Sequence, residues 1–206
     1  IYTLSLHDAL PILAVDTSTV SDHATHVACT VGANATVPAV PRGMAPASNI
    51  ISAGFQMAGG LVQGFLFQFP GDLVGDYSAA VATNNAEFTT NSIGTNTSSN
   101  GYPCDWQGDY GTTSQIIDQI VRGTPGISNG QPLRVVWANG NERQSTRCAD
   151  PTVPPGYHLT APPSCAKNHI TVGAVDGGNN ENMSTFSSWG PSDDGRMKPD
   201  ISAPGV

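Results

Sequence analysis

The chain has 206 residues, 38% of them hydrophobic and only 12% charged, with 23 glycines and 16 prolines. This balance excludes a disordered polyelectrolyte and describes one compact, loop-rich globular domain with a sizeable core. Sixteen acidic against eight basic residues leave a net charge of -8, which argues against nucleic acid or an anionic membrane as partner.

No run of about 18 apolar residues occurs, so no membrane-spanning helix is expected. Having only two lysines, Lys167 and Lys198, among many Asn, Thr and Ser residues fits an exported protein. Residues 1–12, IYTLSLHDALPI, resemble the translation of a short sequencing adapter fused in frame. They are set apart as a non-native segment, and the neighbouring His7 and Asp8 are given no site. Residues 13–206 are expected to form one partial domain.

From Leu13 a short strand is expected to end at Asp16. Ser21 and Asp22 then offer side-chain acceptors to the free N–H groups of a helix start, which places His23 in the first turn and His26 on nearly the same face. Two histidines so spaced can cap and pack a helix, supply a general base, or take part in a metal site. No HExxH or Cys-x-x-Cys partner accompanies them.

Residues 42–46 read as a turn and 49–53 as a buried strand. Helical spacing of Leu73, Val74, Tyr77, Ala80 and Val81 predicts a helix over 72–83. Residues 88–91 and then Ser92, Ile93 and Gly94 read as a strand closed by the glycine. Residues 95–111 are polar and are expected to be a long surface loop. A helix opens at 111–114, where Ser114 is read as a capping residue and not a nucleophile, and stops at Gly123.

Leu133 to Ala138 is an apolar run of the kind found in a parallel strand covered on both faces. It leads into Asn139-Gly140-Asn141-Glu142, which by itself reads as a turn. Residues 169–175 form another buried strand, with His169 at its start. The four cysteines, Cys29, Cys104, Cys148 and Cys165, have no CxxC spacing. A Cys148–Cys165 disulfide in loop sequence is the preferred pairing, and it needs an oxidising compartment. Strands alternating with helices through short connections argue for an α/β fold with a mostly parallel sheet.

The stretch His23-Ala24-Thr25-His26-Val27-Ala28-Cys29-Thr30 resembles the histidine motif of the subtilisin-like serine proteases, His-Gly-Thr-His-Val-Ala-Gly-Thr, with Ala24 and Cys29 standing where the motif has glycines. Ser92-Ile93-Gly94 is similar to that family's substrate-binding strand. Asn139 to Glu142 is similar to its Ala-Gly-Asn-Glu, and the segments 169–174, 186–191 and 198–205 follow in family order.

The resemblance implies an α/β fold with a mostly parallel central sheet and helices on both faces, here incomplete. It implies a serine endopeptidase working through an Asp/His/Ser triad. His23 would be the base, Asn141 the donor to the oxyanion, and Ser92, Ile93 and Gly94, with Gly140, the residues along the substrate backbone. Asp16 could be the triad acid, but Ser18 replaces the expected glycine and only a short segment separates Asp16 from His23. The acid is therefore expected before Leu13.

The family's Gly-Thr-Ser-Met-Ala nucleophile motif does not occur in the chain. The 206 residues are accordingly read as an inactive fragment of an enzyme with a polypeptide substrate. No cofactor or catalytic metal is expected, and the protein is expected to be secreted and monomeric. The alternative is a catalytically inactive peptide-binding pseudoenzyme of the same fold.

Overall fold

A computed structural model describes residues 12–14, 22–34, 41–53, 66–178 and 182–205. The chain divides into two compact units, Ile1–Gln56 and Met57–Val206, taken here one at a time.

In the first unit, strand β1 (Ile12–Ala14) pairs in parallel with β2 (Ile50–Ser52), Ile12 opposite Ile50 and Ala14 opposite Ser52. Between them runs helix α1 (Asp22–Gly32), so the unit is a β-α-β crossover. The helix buries Ala28 and Gly32 and leaves Asp22, His23, His26 and Thr30 exposed. Its last carbonyls lack helical partners, and the segment after it supplies them. Met44 N–H donates to Thr30 O at 3.0 Å, Ala45 N–H to Val31 O at 2.7 Å and Gly43 N–H to Ala33 O at 2.7 Å. This approach requires glycine at 43, where a Cβ would lie 2.6 Å from Ala33 N and 2.8 Å from Cys29 O. The expected turn over 42–46 is therefore a cap on α1. The strand expected over 13–16 is seen as far as Ala14, while Asp16 lies outside the described residues.

The second unit begins with α2 (Leu73–Asn84), which buries Leu73, Tyr77 and Val81 at four-residue spacing. It ends through a left-handed Asn85, φ 53°. After it come β3 (Phe88–Asn91), the short α3 (Thr97–Asn100), α4 (Thr112–Val121), β4 (Arg134–Ala138), β5 (Ile170–Val175) and β6 (Ile201–Pro204). The strands form one parallel sheet in the order β3-β4-β5-β6, with Thr89 opposite Val135, Trp137 opposite Thr171 and Val172 opposite Ile201. The mostly parallel α/β architecture is thus present, and all four carboxyl ends lie on one edge of the sheet.

The core gathers Leu133, Val135 and Trp137 of the β4 segment with Ile117 and Ile120 of α4. Buried Asp118 fixes α4 to the approach to β5. Its carboxylate accepts the N–H groups of Lys167 (2.8 Å) and Asn168 (2.7 Å) and the Tyr110 hydroxyl (2.6 Å). β6, which the sequence pattern did not suggest as a strand, is exposed along its length.

Two expectations are corrected. Residues 95–111 are not a free surface loop: they hold α3 and a 3-10 turn, Cys104–Trp106, and bury Thr95, Thr97, Ser98, Tyr102 and Gln107. Trp106 stacks between Phe67 and Tyr102, with ring centroids 4.6 and 5.3 Å away. The disulfide joins Cys104 to Cys148, not Cys148 to Cys165. The Arg147 guanidinium reaches the carbonyls of Ser98 (3.0 Å), Thr97 (2.8 Å) and Tyr102, which brings Cys148 to Cys104. Cys165 is fully buried in a segment held against the sheet, and burial pushes its thiol up to about 12.

His169 sits at the entry to β5 with Nε2 3.0 Å from the Thr171 hydroxyl. Burial, helped by the nearby Lys198 ammonium and opposed by Asp200, holds its imidazole down at about 4. The unfolded chain takes up this proton near the ordinary 6.5 and the folded chain only near 4, so stability is lost as pH falls through that window. The His169 contribution amounts to about 3 kcal/mol. Urea unfolding of His169→Gln is expected to be less pH-dependent between pH 6.5 and 4 than that of the wild type. Replacing both Cys104 and Cys148 by serine opens a loop with a sequence separation of 44. The expected loss is about 4 kcal/mol by chain entropy. Thermal melting under non-reducing conditions, with peptide mapping of the cross-link, checks both the magnitude and the pairing.

Candidate active site

The carboxyl ends of β3 and β4 meet around Ala161. Leaving β3, Ser92 is exposed and Ile93 and Gly94 are half-buried. Ile93 O accepts the indole N–H of the fully buried Trp137 at 2.5 Å, and Thr95 N–H donates to Pro162 O at 2.9 Å. A Cβ on Gly94 would lie 3.6 Å from Pro162 O and 4.0 Å from Ala161 Cβ.

Leaving β4, the buried Asn139 is fixed by its backbone and its side chain. Its N–H donates to Val172 O (2.9 Å), its O accepts Ala161 N–H (3.2 Å), and its side-chain amide donates to Ser188 O (2.6 Å). Gly140 follows at φ +98°, a left-handed conformation that favours glycine. A Cβ there would also lie 2.5 Å from Ala161 Cβ and 3.2 Å from Ser188 Oγ. Gly94 and Gly140 therefore face the same Ala161, one from each strand end. Asn141 comes next and is exposed, while its carbonyl accepts Gln144 N–H at 3.3 Å.

Glu142 turns back inward and is 2% exposed. Its N–H donates to Ser188 Oγ (2.9 Å), and its Oε2 accepts both Ser98 N–H (2.9 Å) and the Gln107 side-chain amide (2.5 Å). Burial raises its carboxyl above the usual range, against the lowering effect of those hydrogen bonds. Ser188 meets the turn three times, since its own N–H also donates to Gly140 O at 2.9 Å. The anchoring roles of Ser188, Ser98 and Gln107 were not visible in the sequence, because no spacing rule links them to the Asn139–Glu142 turn.

Among the sequence-predicted residues, the second unit holds Ser92, Ile93, Gly94, Gly140 and Asn141, with Gly94 and Gly140 both beside Ala161. His23 belongs to the first unit, where it stands exposed in the first turn of α1, with His26 exposed below it. The His26 carbonyl accepts the Thr30 hydroxyl at 2.9 Å. Cys29 is half-buried on the same helix. Ser114 is 1% exposed and donates its hydroxyl to Pro163 O at 3.2 Å, which suits a packed helix start and not a nucleophile. Among the described residues no group of three His, Cys, Asp or Glu side chains is placed to hold a metal ion.

A parallel sheet with a hydrogen-bonded asparagine turn and a strand end side by side at its carboxyl edge defines an α/β domain of the kind that binds ligands at that edge. Residues 14–206 match the model of the Subtilase family, and the chain belongs to that family. No curated protein matches the sequence.

Among solved structures, the fold is similar to that of the prenylagaramide maturation protease PagA, at 22% identity and a TM-score of 0.61, covering 95% of this chain and 56% of that one. The self-cleaved protease domain of PatA is similar at 20% identity and a TM-score of 0.59, covering 95% and 60%. The psychrophilic subtilisin-like protease Apa1 from the Antarctic psychrotroph Pseudoalteromonas sp. AS-11 is similar at 20% identity and a TM-score of 0.57, covering 94% and 36%. The chain thus spans less than two thirds of each of these solved chains, and at such identities the likeness is one of fold.

Gly140→Ala is expected to destabilise the second unit by roughly 1–3 kcal/mol, from the left-handed backbone and the contact with Ala161. Denaturant unfolding measures this. A loss below about 0.5 kcal/mol, the level of an ordinary surface substitution, would show that the turn does not need glycine.

Proposed function

We propose that the chain is the part of a serine endopeptidase that carries the general base, the oxyanion donor and the substrate-binding strand. The observation that supports this most is the meeting of residues 92–94 with the Asn139–Glu142 turn around Ala161, which leaves Asn141 exposed while its neighbours on both sides are tied down. A carboxamide whose backbone is fixed before the reaction can stabilise developing charge without first reorganising. Ser92, Ile93 and Gly94 follow β3, the terminal strand of this sheet among the described residues, and an extended peptide is proposed to add alongside them by backbone hydrogen bonds. Gly140 is proposed to lie along that backbone, its own missing side chain making room for Ala161.

In the proposed reaction a serine attacks the peptide carbonyl and His23 takes its proton. Asn141 donates to the oxyanion, and His23 then returns the proton to the leaving amine. The family's nucleophile sequence Gly-Thr-Ser-Met-Ala does not occur in these 206 residues, so the chain taken by itself is proposed to be inactive. Asp16 is not assigned. Residues 13–206 are proposed to act as one peptidase-domain portion, and Ile12, expected outside it, pairs with Ile50 at its start. Secretion is proposed on the disulfide and the scarcity of lysine. No described helix is long and apolar enough to cross a membrane. The proposed substrate is an unstructured polypeptide, and the proposed state is a monomer.

Two measurements test this reading. The product of the complete gene containing this chain is expected to cleave casein and to be blocked by an active-serine phosphonate. Asn141→Ala is expected to lower its kcat by about 100- to 1000-fold with little change in KM, the magnitude measured for the corresponding donor in subtilisin. The 206-residue chain alone is expected to take up no phosphonate, and stoichiometric labelling at any of its serines would overturn that part of the reading. A complete product that binds peptides and leaves casein intact would identify the peptide-binding pseudoenzyme instead.

A further inference from the structure

We infer that Glu142 is the positioning residue of the oxyanion turn: a single buried carboxylate oxygen holds Asn141 in place against the segment that leaves the substrate strand. The inference rests on the proposed role of Asn141. Glu142 follows Asn141 directly, so any rotation of the Asn141 backbone must carry Glu142 with it. Glu142 is held from two directions, by its N–H on Ser188 Oγ and by Oε2 on Ser98 N–H and the Gln107 amide.

Ser98 and Gln107 belong to the excursion that starts at Ser92, Ile93 and Gly94. The same carboxylate therefore links the proposed oxyanion donor to the proposed substrate strand. Arg147 and the Cys104–Cys148 disulfide close the same two segments from the outside. A buried acid has many cheaper substitutes for packing alone, since an apolar residue of equal volume avoids its desolvation cost. What an apolar residue cannot do is accept two N–H groups at one point and thereby fix the distance between two loops.

Both bonds end on one oxygen, which gives the test its form. In the complete enzyme, Glu142→Met keeps the volume and removes the acceptor, whereas Glu142→Gln keeps one carbonyl oxygen for both donors. Glu142→Met is expected to lower kcat by roughly tenfold or more, the scale of a sub-ångström to ångström misplacement, with KM within about twofold of wild type. Glu142→Gln is expected to restore most of the rate. In the Asn141→Ala background, Glu142→Met is expected to cost less than about twofold further, because its effect passes through Asn141.

Amide exchange in the second unit, read without any activity, is expected to speed up over residues 140–144 in Glu142→Met and not in Glu142→Gln. If Glu142→Met does not fold, Gln107→Leu, which removes one of the two donors, is expected to give the same fall in kcat at unchanged KM. Wild-type kcat in the Met or Leu variant, or the full Glu142→Met loss repeated on top of Asn141→Ala, would overturn the inference. An unchanged kcat in Asn141→Ala would sink the oxyanion reading instead, and unaltered exchange over 140–144 would still decide against Glu142.

Discussion

Ser188 is the constraint on which the carboxyl edge of the sheet depends. Its carbonyl receives the Asn139 amide, its N–H reaches Gly140 O, and its hydroxyl accepts Glu142 N–H. Asn139, Gly140 and Glu142 of one turn are thereby tied to a single residue, while Asn141 between Gly140 and Glu142 faces solvent. Each bond is modest by itself, on the order of 1 kcal/mol net. Their joint effect is geometric, because a turn fixed on both sides of Asn141 leaves the backbone of that residue little freedom. The left-handed Gly140 completes the arrangement by letting the chain pass within contact of Ala161.

The legible parts of the sequence were those whose stabilising partners lie nearby in the chain. α1, α2 and α4 announced themselves through caps and helical spacing, and β4 and β5 through apolar runs. Asn139 to Glu142 could be read as a turn after a strand, and as a site through its family likeness. The 95–111 segment could not be read. Its polar sequence is ordered by Glu142, Arg147 and Phe67, all remote along the chain. The cysteine pairing failed for the same reason, since a Pro- and Ser-rich segment around Cys165 looks like a loop but is buried whole. β6 escaped notice because its exposed residues show no alternation and it ends at Pro204.

Buried charge in the second unit is matched group by group. Asp118 takes two backbone N–H groups and a phenol, Glu142 a backbone N–H and an amide, and Lys198 lies 2.7 Å from Asp200, which also accepts Thr171 N–H. Such groups add little net stability over apolar substitutes, and their selectivity lies in what they join. Asp118 joins α4 to β5, Lys198 and Asp200 join the approach to β6 to β5, and Glu142 joins two loops at the carboxyl edge. His169, neutral through its burial beside the Lys198–Asp200 pair, makes this region the acid-sensitive part of the sheet.

The Cys104–Cys148 bond also changes what it means to cut this chain. The ring of backbone it closes contains α4, β4 and the turn bearing Asn141. A single break between Cys104 and Cys148 leaves two pieces that remain one covalent molecule. In surroundings rich in peptidases, a nick there would add one water and separate no piece until the sulfurs were reduced. The segment nearest the proposed chemistry is thus the one whose cleavage products stay tethered.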